Sequence, residues 1–225
     1  MVMGMRMMGR VATALLMTLA IAAASPKVDW TRRVADTGVG VRMGNPAART
    51  RLVEYGSFNC PHCAAFARAS DDDIKRLVRS GSLSFEFRPK LLFPHDPPAT
   101  AIARCVGPER FFDFTADYMR EAPAIGDRLT EAFLDKADEI EAARAAGVGP
   151  LARKYAALGG MGTVAARHGL DAGALARCLS NKAVLGKIEA NEAAATKAGV
   201  SGTPTFFING RRAEFADVQK LGIAR

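Results

Sequence analysis

The chain of 225 residues has little cysteine, few aromatic residues and no long run of basic residues. Its four cysteines are too few for a small disulfide-stapled scaffold, and a chain of this length can bury an ordinary core. Lysine and arginine exceed the acids by 31 to 23, yet basic residues never run longer than pairs such as Arg32-Arg33, and aromatics make up only 7%. Nucleic-acid binding is therefore not expected, because it needs clustered basic residues and stacking aromatics. With 49% hydrophobic and 24% charged residues, the composition indicates one globular domain, or one domain with an insertion.

The N-terminus has the pattern of a secretory signal peptide. Arg6 and Arg10, with no acid nearby, precede an apolar run of 14 residues from Val11 to Ala24 that ends in small residues. A helix that spans a bilayer needs roughly 20 residues, so a permanent membrane anchor is the less favoured alternative. We expect residues 1–24 to be a signal peptide and the mature protein to be exported into an oxidising compartment.

The first half of the mature chain predicts strands on either side of a helix. A short alternating segment at residues 39–43 is followed by a clearer strand at 51–58, which leads directly into Cys60-Pro61-His62-Cys63. Pro61 suits the first turn of a helix, and apolar residues with helical spacing continue until Gly81 ends it. Residues 82–88 alternate between polar and apolar and predict the next strand.

The second half begins with a different composition. Residues 97–181 are rich in alanine, broken by glycine and proline, and predict a helical insertion. A further helix at 182–197 is followed by a strand that ends at Ile208, and Asn209-Gly210 predicts a hairpin with a return strand at 211–215. Asp217 is expected to cap a last short helix. The prediction is therefore an α/β arrangement of residues 25–96 and 182–225, interrupted by the helical segment 97–181.

The Cys60-Cys63 pair at the start of a helix points to thiol chemistry. Unpaired N–H groups and a partial positive charge at a helix N-terminus stabilise a thiolate, so Cys60 is the expected nucleophile. Cys63, in the first turn, can attack a mixed disulfide formed at Cys60. His62 adds a potentially cationic neighbour that favours the dithiol over the disulfide, which would make the pair an oxidising couple.

Two other interpretations of the pair are weaker. A structural zinc site needs four ligands, and the remaining cysteines and histidines show no second paired spacing. A purely structural disulfide between Cys60 and Cys63 would close a very short loop, which stabilises least. We therefore expect no metal and no cofactor, with the two cysteines carrying the chemistry.

Residues 54–63, which read EYGSFNCPHC, together with Gly202-Thr203-Pro204-Thr205, resemble the DsbA-like thiol:disulfide oxidoreductases of the thioredoxin superfamily. The resemblance implies a thioredoxin fold with a helical domain inserted before Pro204. It also implies that Pro204 is cis and faces the cysteines, and that Thr203 offers backbone hydrogen bonds to a substrate strand. Glu54 is implied to be a buried acid that relays protons, whereas a lone acid in a strand would otherwise be expected on its solvent face.

Cys105 and Cys178 both fall in the predicted helical insertion. Two unpaired thiols near a strong oxidant would be hazardous in an oxidising compartment, so a Cys105–Cys178 disulfide is the preferred interpretation. The alternative is that each is a buried, inert residue. His95 and His168 are expected to be surface or helix-capping residues.

The leading functional hypothesis is a periplasmic dithiol oxidase that acts on unfolded, cysteine-containing exported proteins. The resemblance implies reoxidation by a membrane partner that passes electrons to quinone. A disulfide isomerase or reductase is the first alternative, supported by Thr203, since the best-known oxidases of the family have valine there. Isomerases of the superfamily usually carry an N-terminal dimerisation module, for which residues 25–50 leave no room, so a monomer is expected. A non-catalytic, chaperone-like binding module is the second alternative.

Overall fold

The computed structural model describes Met1 and residues 28–224, so the expected signal peptide lies outside the described residues apart from Met1. A short 3-10 helix (Trp30–Arg32) precedes the first strand. The strands are β1 (Val34–Asp36), β2 (Val41–Gly44), β3 (Thr50–Gly56), β4 (Leu83–Pro89), β5 (Thr205–Ile208) and β6 (Arg211–Ala213). The helices are α1 (Pro61–Arg79), α2 (Asp96–Cys105), α3 (Pro108–Asp135), α4 (Ala137–Ala145), α5 (Val148–Leu158), α6 (Met161–Arg167), α7 (Ala172–Cys178), α8 (Lys182–Lys197) and α9 (Phe215–Lys220).

The strands form one sheet in the order β1-β2-β4-β3-β5-β6. Strands β3 and β4 are parallel and are joined by α1, while the other neighbouring pairs are antiparallel. The carboxyl ends of β3 and β4 therefore meet at one edge of the sheet, where the chain continues into α1 and α2. This mixed sheet with helices packed on it confirms the predicted α/β class and thioredoxin-like fold.

Strand β3 lies in the interior of the sheet, and its side chains alternate between two packed faces. Leu52 belongs to the main core, which includes residues of α1 and α3. Val53 and Tyr55 pack instead with Ala195 of α8 and with Val200 on the opposite face. The period-2 alternation therefore places Glu54 on the α1 side of the sheet, inside the core rather than in solvent.

The helices α2–α7 are not a separate bundle, because their buried residues continue the core of the sheet. The ring of Phe58, which follows β3, lies 5.7 Å from the ring of Tyr118 and 6.3 Å from that of Phe114, both on α3. Aromatic pairs at this spacing pack favourably edge to face. The helical region thus holds the segment that leads from β3 into Cys60. Across residues 28–224, no helix is both long and apolar enough to cross a membrane.

The C-terminal elements confirm the predicted hairpin and correct the predicted last helix. Asn209 and Gly210 have φ values of 52° and 82°, as a tight hairpin turn between β5 and β6 requires. The return strand ends at Ala213, and Phe215 already belongs to α9. The predicted cap at Asp217 is wrong: Glu214 is the N-cap, and Asp217 is its reciprocal partner three residues on, accepting a hydrogen bond from Glu214 N. Strand β1 was not expected from the sequence.

Candidate active site

Cys60 and Cys63 lie at the N-terminus of α1, at the edge where β3 and β4 end. Cys60 is the N-cap residue with an extended backbone, and Pro61 follows as the first helical residue. Both cysteines are free thiols, and Cys63 is completely buried. The first-turn N–H groups of α1 lack helical partners, so the helix end favours negative charge on a sulfur held there.

The loop before β5 lies against this helix end. The Thr203–Pro204 peptide bond is cis, and the Cys60 thiol donates a hydrogen bond to the Thr203 carbonyl oxygen across 3.4 Å. The Thr203 hydroxyl is buried and lies close enough to Cys63 to affect its ionisation. The fold therefore brings Thr203 and Pro204 to the cysteine pair.

Cys63 is held as a neutral thiol. Burial is the largest cause that raises the pKa of Cys63, and the charge of Glu54 raises it further, while the Thr203 hydroxyl acts in the opposite direction. A thiolate on Cys63 is thus unfavourable unless a proton donor is at hand.

Glu54 is buried on the α1 side of β3, with 2% of its surface exposed. Burial, and then the proximity of Cys60, raises the pKa of Glu54 to about 8. Its Oε1 atom has no hydrogen-bond partner among the described residues, and neither does Oγ of Ser70. Both residues line a small cavity of about 50 Å³ between the sheet, α1 and α3. A carboxyl group with this pKa can accept or donate a proton near neutral pH.

Two grooves flank the cysteine pair. Pro61 and His62 are exposed at the start of α1. His62 lines a groove of about 520 Å³ on the side of Pro204, together with Phe206 and the half-exposed Phe215. A second groove, of about 370 Å³, lies on the side of α3. Its lining includes Cys60, Pro61, Phe93, His95, Met119 and Pro123. Cys60 itself, with 5% of its surface exposed, lines only the groove on the α3 side.

Two residues of this region were missed by sequence reasoning. His95 was expected to be a surface or capping residue, and it does occupy the N-cap position of α2, but without a side-chain cap, and it also lines the second groove. Burial lowers the pKa of His95, and Asp96 partly opposes that change. Asp96 is fully buried and bonds to the turn before Cys60. The Asp-Pro-Pro sequence is typical of a helix start, but nothing in it marks Asp96 as buried.

The other two cysteines are not part of this cluster. Cys105 and Cys178 form a disulfide that joins the last residues of α2 and α7, with their Cα atoms 6.1 Å apart. His168 lies at the end of α6, where its Nε2 atom is 2.9 Å from an Asp117 oxygen. These residues hold the helical region together and make no described contact with Cys60 or Cys63.

Comparisons with known proteins agree with the geometry. A model of the thioredoxin family matches residues 36–221. The crystal structure of a protein-disulfide isomerase from Novosphingobium aromaticivorans is 32% identical, with a TM-score of 0.69 over 80% of this chain and 93% of that chain. The structure of alpha-DsbA1 from Wolbachia pipientis is 23% identical, with a TM-score of 0.57 over 74% of this chain and 73% of that chain. A Rickettsia bellii protein named as a protein-disulfide oxidoreductase is 23% identical over 187 residues, 81% of this chain but only 61% of that relative's length. The chain belongs to the thioredoxin family, and its structural neighbours are DsbA-like thiol-disulfide oxidoreductases.

Proposed function

We propose that the protein is an exported dithiol oxidase that introduces disulfide bonds into newly exported proteins through the Cys60-Cys63 pair. The observation that carries this proposal is the asymmetry of the two thiols. Cys60 caps α1 and lines the groove on the α3 side with 5% of its surface exposed, whereas Cys63 has no exposed surface, has a raised pKa and lies close to Glu54. Cys60 is thus the sulfur that a substrate can reach, and Cys63 the one that stays inside.

The reaction starts from the Cys60–Cys63 disulfide. A substrate thiolate attacks the Cys60 sulfur, the bond between Cys60 and Cys63 breaks, and Cys63 leaves as a thiolate. Glu54, protonated below its pKa of about 8, gives its proton to Cys63. The second thiolate of the substrate then attacks the substrate sulfur of the mixed disulfide. The substrate disulfide forms, and Cys60 leaves as a thiolate. Two electrons pass from the substrate to the enzyme, which ends as a dithiol.

The direction of exchange depends on which form of the pair is more stable. Reduction of the pair gives a Cys60 thiolate at the N-terminus of α1, where the helix favours negative charge. His62, exposed next to it, adds positive charge when protonated. Both effects stabilise the reduced form, and a pair whose reduced form is stabilised is an oxidant.

A disulfide isomerase is the second candidate. It is favoured by the 32% identical structure, which is described as a protein-disulfide isomerase, and by threonine at position 203. An isomerase works from the reduced form, which must be kept reduced, and attacks existing substrate disulfides through Cys60.

The setting of the enzyme is also a proposal. The basic and apolar composition of residues 1–24 supports export into the periplasm. Unfolded proteins with pairs of cysteines are the proposed substrates, and a membrane reoxidase linked to quinone is the proposed electron acceptor. We propose that the protein acts as a monomer.

Substrate binding is proposed at the loop that carries Thr203 and Pro204. The Thr203 carbonyl is within hydrogen-bond distance of Cys60, so a backbone N–H of a substrate strand bound there would place the substrate cysteine beside the reacting sulfur. We further propose that residues 97–181 are a helical insertion in the thioredoxin part, which residues 25–96 and 182–225 form.

The test is the reduction potential of the Cys60-Cys63 pair in glutathione buffers. A value of about −120 mV supports the oxidase proposal. A value of about −270 mV contradicts that proposal and makes the protein a reductase. An isomerase would instead restore activity to scrambled ribonuclease as the reduced protein, and a stable dimer in light scattering would favour it.

A further inference from the structure

Asp96, the first residue of α2, is a carboxylate with no exposed surface. Among residues 28–224, no lysine, arginine or histidine forms an ion pair with it. Instead it accepts hydrogen bonds from four groups on two loops. The donors are Ser57 Oγ, Asn59 Nδ2, Leu92 N and Phe93 N. A buried carboxylate without a cation persists only when such donors satisfy it, so the two loops and Asp96 depend on each other.

The first loop is the turn that carries Cys60. Ser57 Oγ donates to both Asp96 oxygens, at 2.9 and 3.0 Å, and the Asn59 side-chain amide donates to Oδ1 at 2.7 Å. Asn59 N in turn donates to Ser57 Oγ at 3.1 Å, and Cys60 N donates to the Ser57 carbonyl at 3.3 Å. The backbone position of Cys60 is therefore fixed through Ser57 and Asn59 by one carboxylate.

Asn59 is also held from the helical region. The Tyr118 hydroxyl on α3 donates to Asn59 Oδ1 across 3.3 Å, while the other side of the amide is bound by Asp96. The residue next to the nucleophile thus has both ends of its side chain engaged inside the protein. These two bonds fix the position of the Asn59 side chain.

The second loop forms a wall of the groove on the α3 side of Cys60. Leu92 N and Phe93 N donate to Asp96 Oδ2 at 2.7 and 2.8 Å, and Phe93 lines that groove together with Cys60. The loop follows β4, whereas the Cys60 turn follows β3, and the parallel pairing of these strands brings both to the same edge. Asp96 is the carboxylate that joins the two.

We propose that Asp96 is a positioning residue for disulfide exchange: it holds the turn that presents Cys60 in register with the Leu92-Phe93 wall of the adjacent groove. This proposal rests on the proposed function. Its effect is geometric, because loosening the turn removes the Cys60 sulfur from its place at the N-terminus of α1, where the thiolate is stabilised.

Asp96→Asn replaces one oxygen of the carboxylate by an NH₂ group and keeps the other oxygen, so the roles of the two oxygens can be tested apart. Oδ2 accepts two backbone N–H groups and the Ser57 hydroxyl, all of which an amide oxygen can still accept, so the new NH₂ group replaces Oδ1 and faces the Asn59 Nδ2 donor. The substitution therefore disrupts the Cys60 turn and keeps the groove wall. The matched control is Glu86→Gln, another buried carboxyl that accepts hydrogen bonds, from Thr37 and Arg88, away from the Cys60 turn.

The experiment measures the glutathione equilibrium of the cysteine pair, the pH profile of Cys60 alkylation, and kcat and KM for oxidation of a two-cysteine peptide. For Asp96→Asn we expect the equilibrium constant that favours the reduced pair to fall about tenfold, equivalent to about 30 mV. We expect kcat to fall about tenfold with KM within about twofold, because the turn moves and the wall stays. Glu86→Gln is expected to keep all of these values within about twofold while losing stability.

Loss of stability in both variants with unchanged equilibrium, pH profile and kcat would overturn the proposal, since Asp96 would then be merely structural. If Asp96→Asn does not fold, Asn59→Ala replaces it, because this variant deletes one donor and leaves the carboxylate its other three. A change of about threefold in the same direction is then expected. The absence of any change would overturn the proposal. If the wild-type protein does not oxidise the peptide, the proposed oxidase function fails. The glutathione equilibrium and the alkylation profile still decide the role of Asp96.

Discussion

The Cys60 thiol donates a hydrogen bond to the Thr203 carbonyl oxygen, although 143 positions separate the two residues along the chain. This hydrogen bond joins the N-terminus of α1 to the loop with the cis peptide bond. When Cys60 ionises or enters a disulfide, it can no longer donate this bond. The Thr203 carbonyl is then free to accept a substrate N–H, so substrate binding and the chemical state of Cys60 are coupled through one oxygen.

The cysteine pair gives the first prediction. Cys60→Ser is expected to abolish disulfide formation in a reduced substrate, because the sulfur that lines the groove on the α3 side is lost. Cys63→Ser is expected to keep attack by Cys60 on a substrate disulfide but to trap the mixed disulfide, because no second thiol can release it. Intact-mass analysis after mixing with a disulfide-bonded peptide shows the adduct. If neither the wild type nor Cys60→Ser forms disulfides while both bind the unfolded substrate equally, the protein is a non-catalytic binding module instead.

The second prediction concerns the disulfide between α2 and α7. Removing it by the double substitution Cys105→Ala and Cys178→Ala opens a loop with a sequence separation of 73 residues. The chain-entropy treatment then gives a loss of roughly 4 kcal/mol in the free energy of unfolding. The reduction potential of the Cys60-Cys63 pair is expected to stay the same, because no described contact links the two pairs. Denaturant unfolding measures the first quantity and glutathione equilibration the second, and a large change in potential would contradict the separation of roles.

Part of this site could be predicted from the sequence and part could not. The placement of Cys60 at a helix start, the helix 182–197 and the Asn209-Gly210 turn follow from local signals, because caps and tight turns depend on neighbouring residues. The burial of Glu54 depends on which face of β3 is covered by α1, which periodicity alone leaves open. Asp96 reaches the site only through the parallel pairing of β3 and β4 and the course of the loop after β4. Such contacts depend on tertiary structure, so no local pattern marks them.

The third prediction separates the hydroxyl of Thr203 from its carbonyl. Thr203→Val keeps the carbonyl that bonds to Cys60 but removes the hydroxyl that counteracts the raised pKa of Cys63. Cys63 becomes a poorer leaving group, so attack of a substrate thiolate on the oxidised pair is expected to slow about threefold. Thr203→Ser retains the hydroxyl and should behave like the wild type. Stopped-flow kinetics with a single-cysteine peptide measures the rate, and equal slowing in both variants would assign the effect to packing instead.

The last prediction follows from the ionisation of Glu54. Its pKa is raised to about 8 in the folded protein, whereas an unfolded chain has the ordinary value near 4.5. The folded state therefore holds a proton that the unfolded state has lost, so the free energy of unfolding should fall as the pH rises from about 4.5 to about 8, by up to about 1.4 kcal/mol per pH unit. Glu54→Gln removes this slope, so its stability relative to the wild type should increase towards pH 8. Denaturant unfolding of the reduced protein at pH 5, 6, 7 and 8 tests this, with Glu189→Gln, an exposed acid on α8, as the control that should keep the slope. Glu54→Gln should also oxidise substrate more slowly than the wild type, because Cys63 then leaves without a proton donor beside it. A stability difference between the wild type and Glu54→Gln that does not change between pH 5 and pH 8 would show that Glu54 is ionised in the fold and cannot supply that proton.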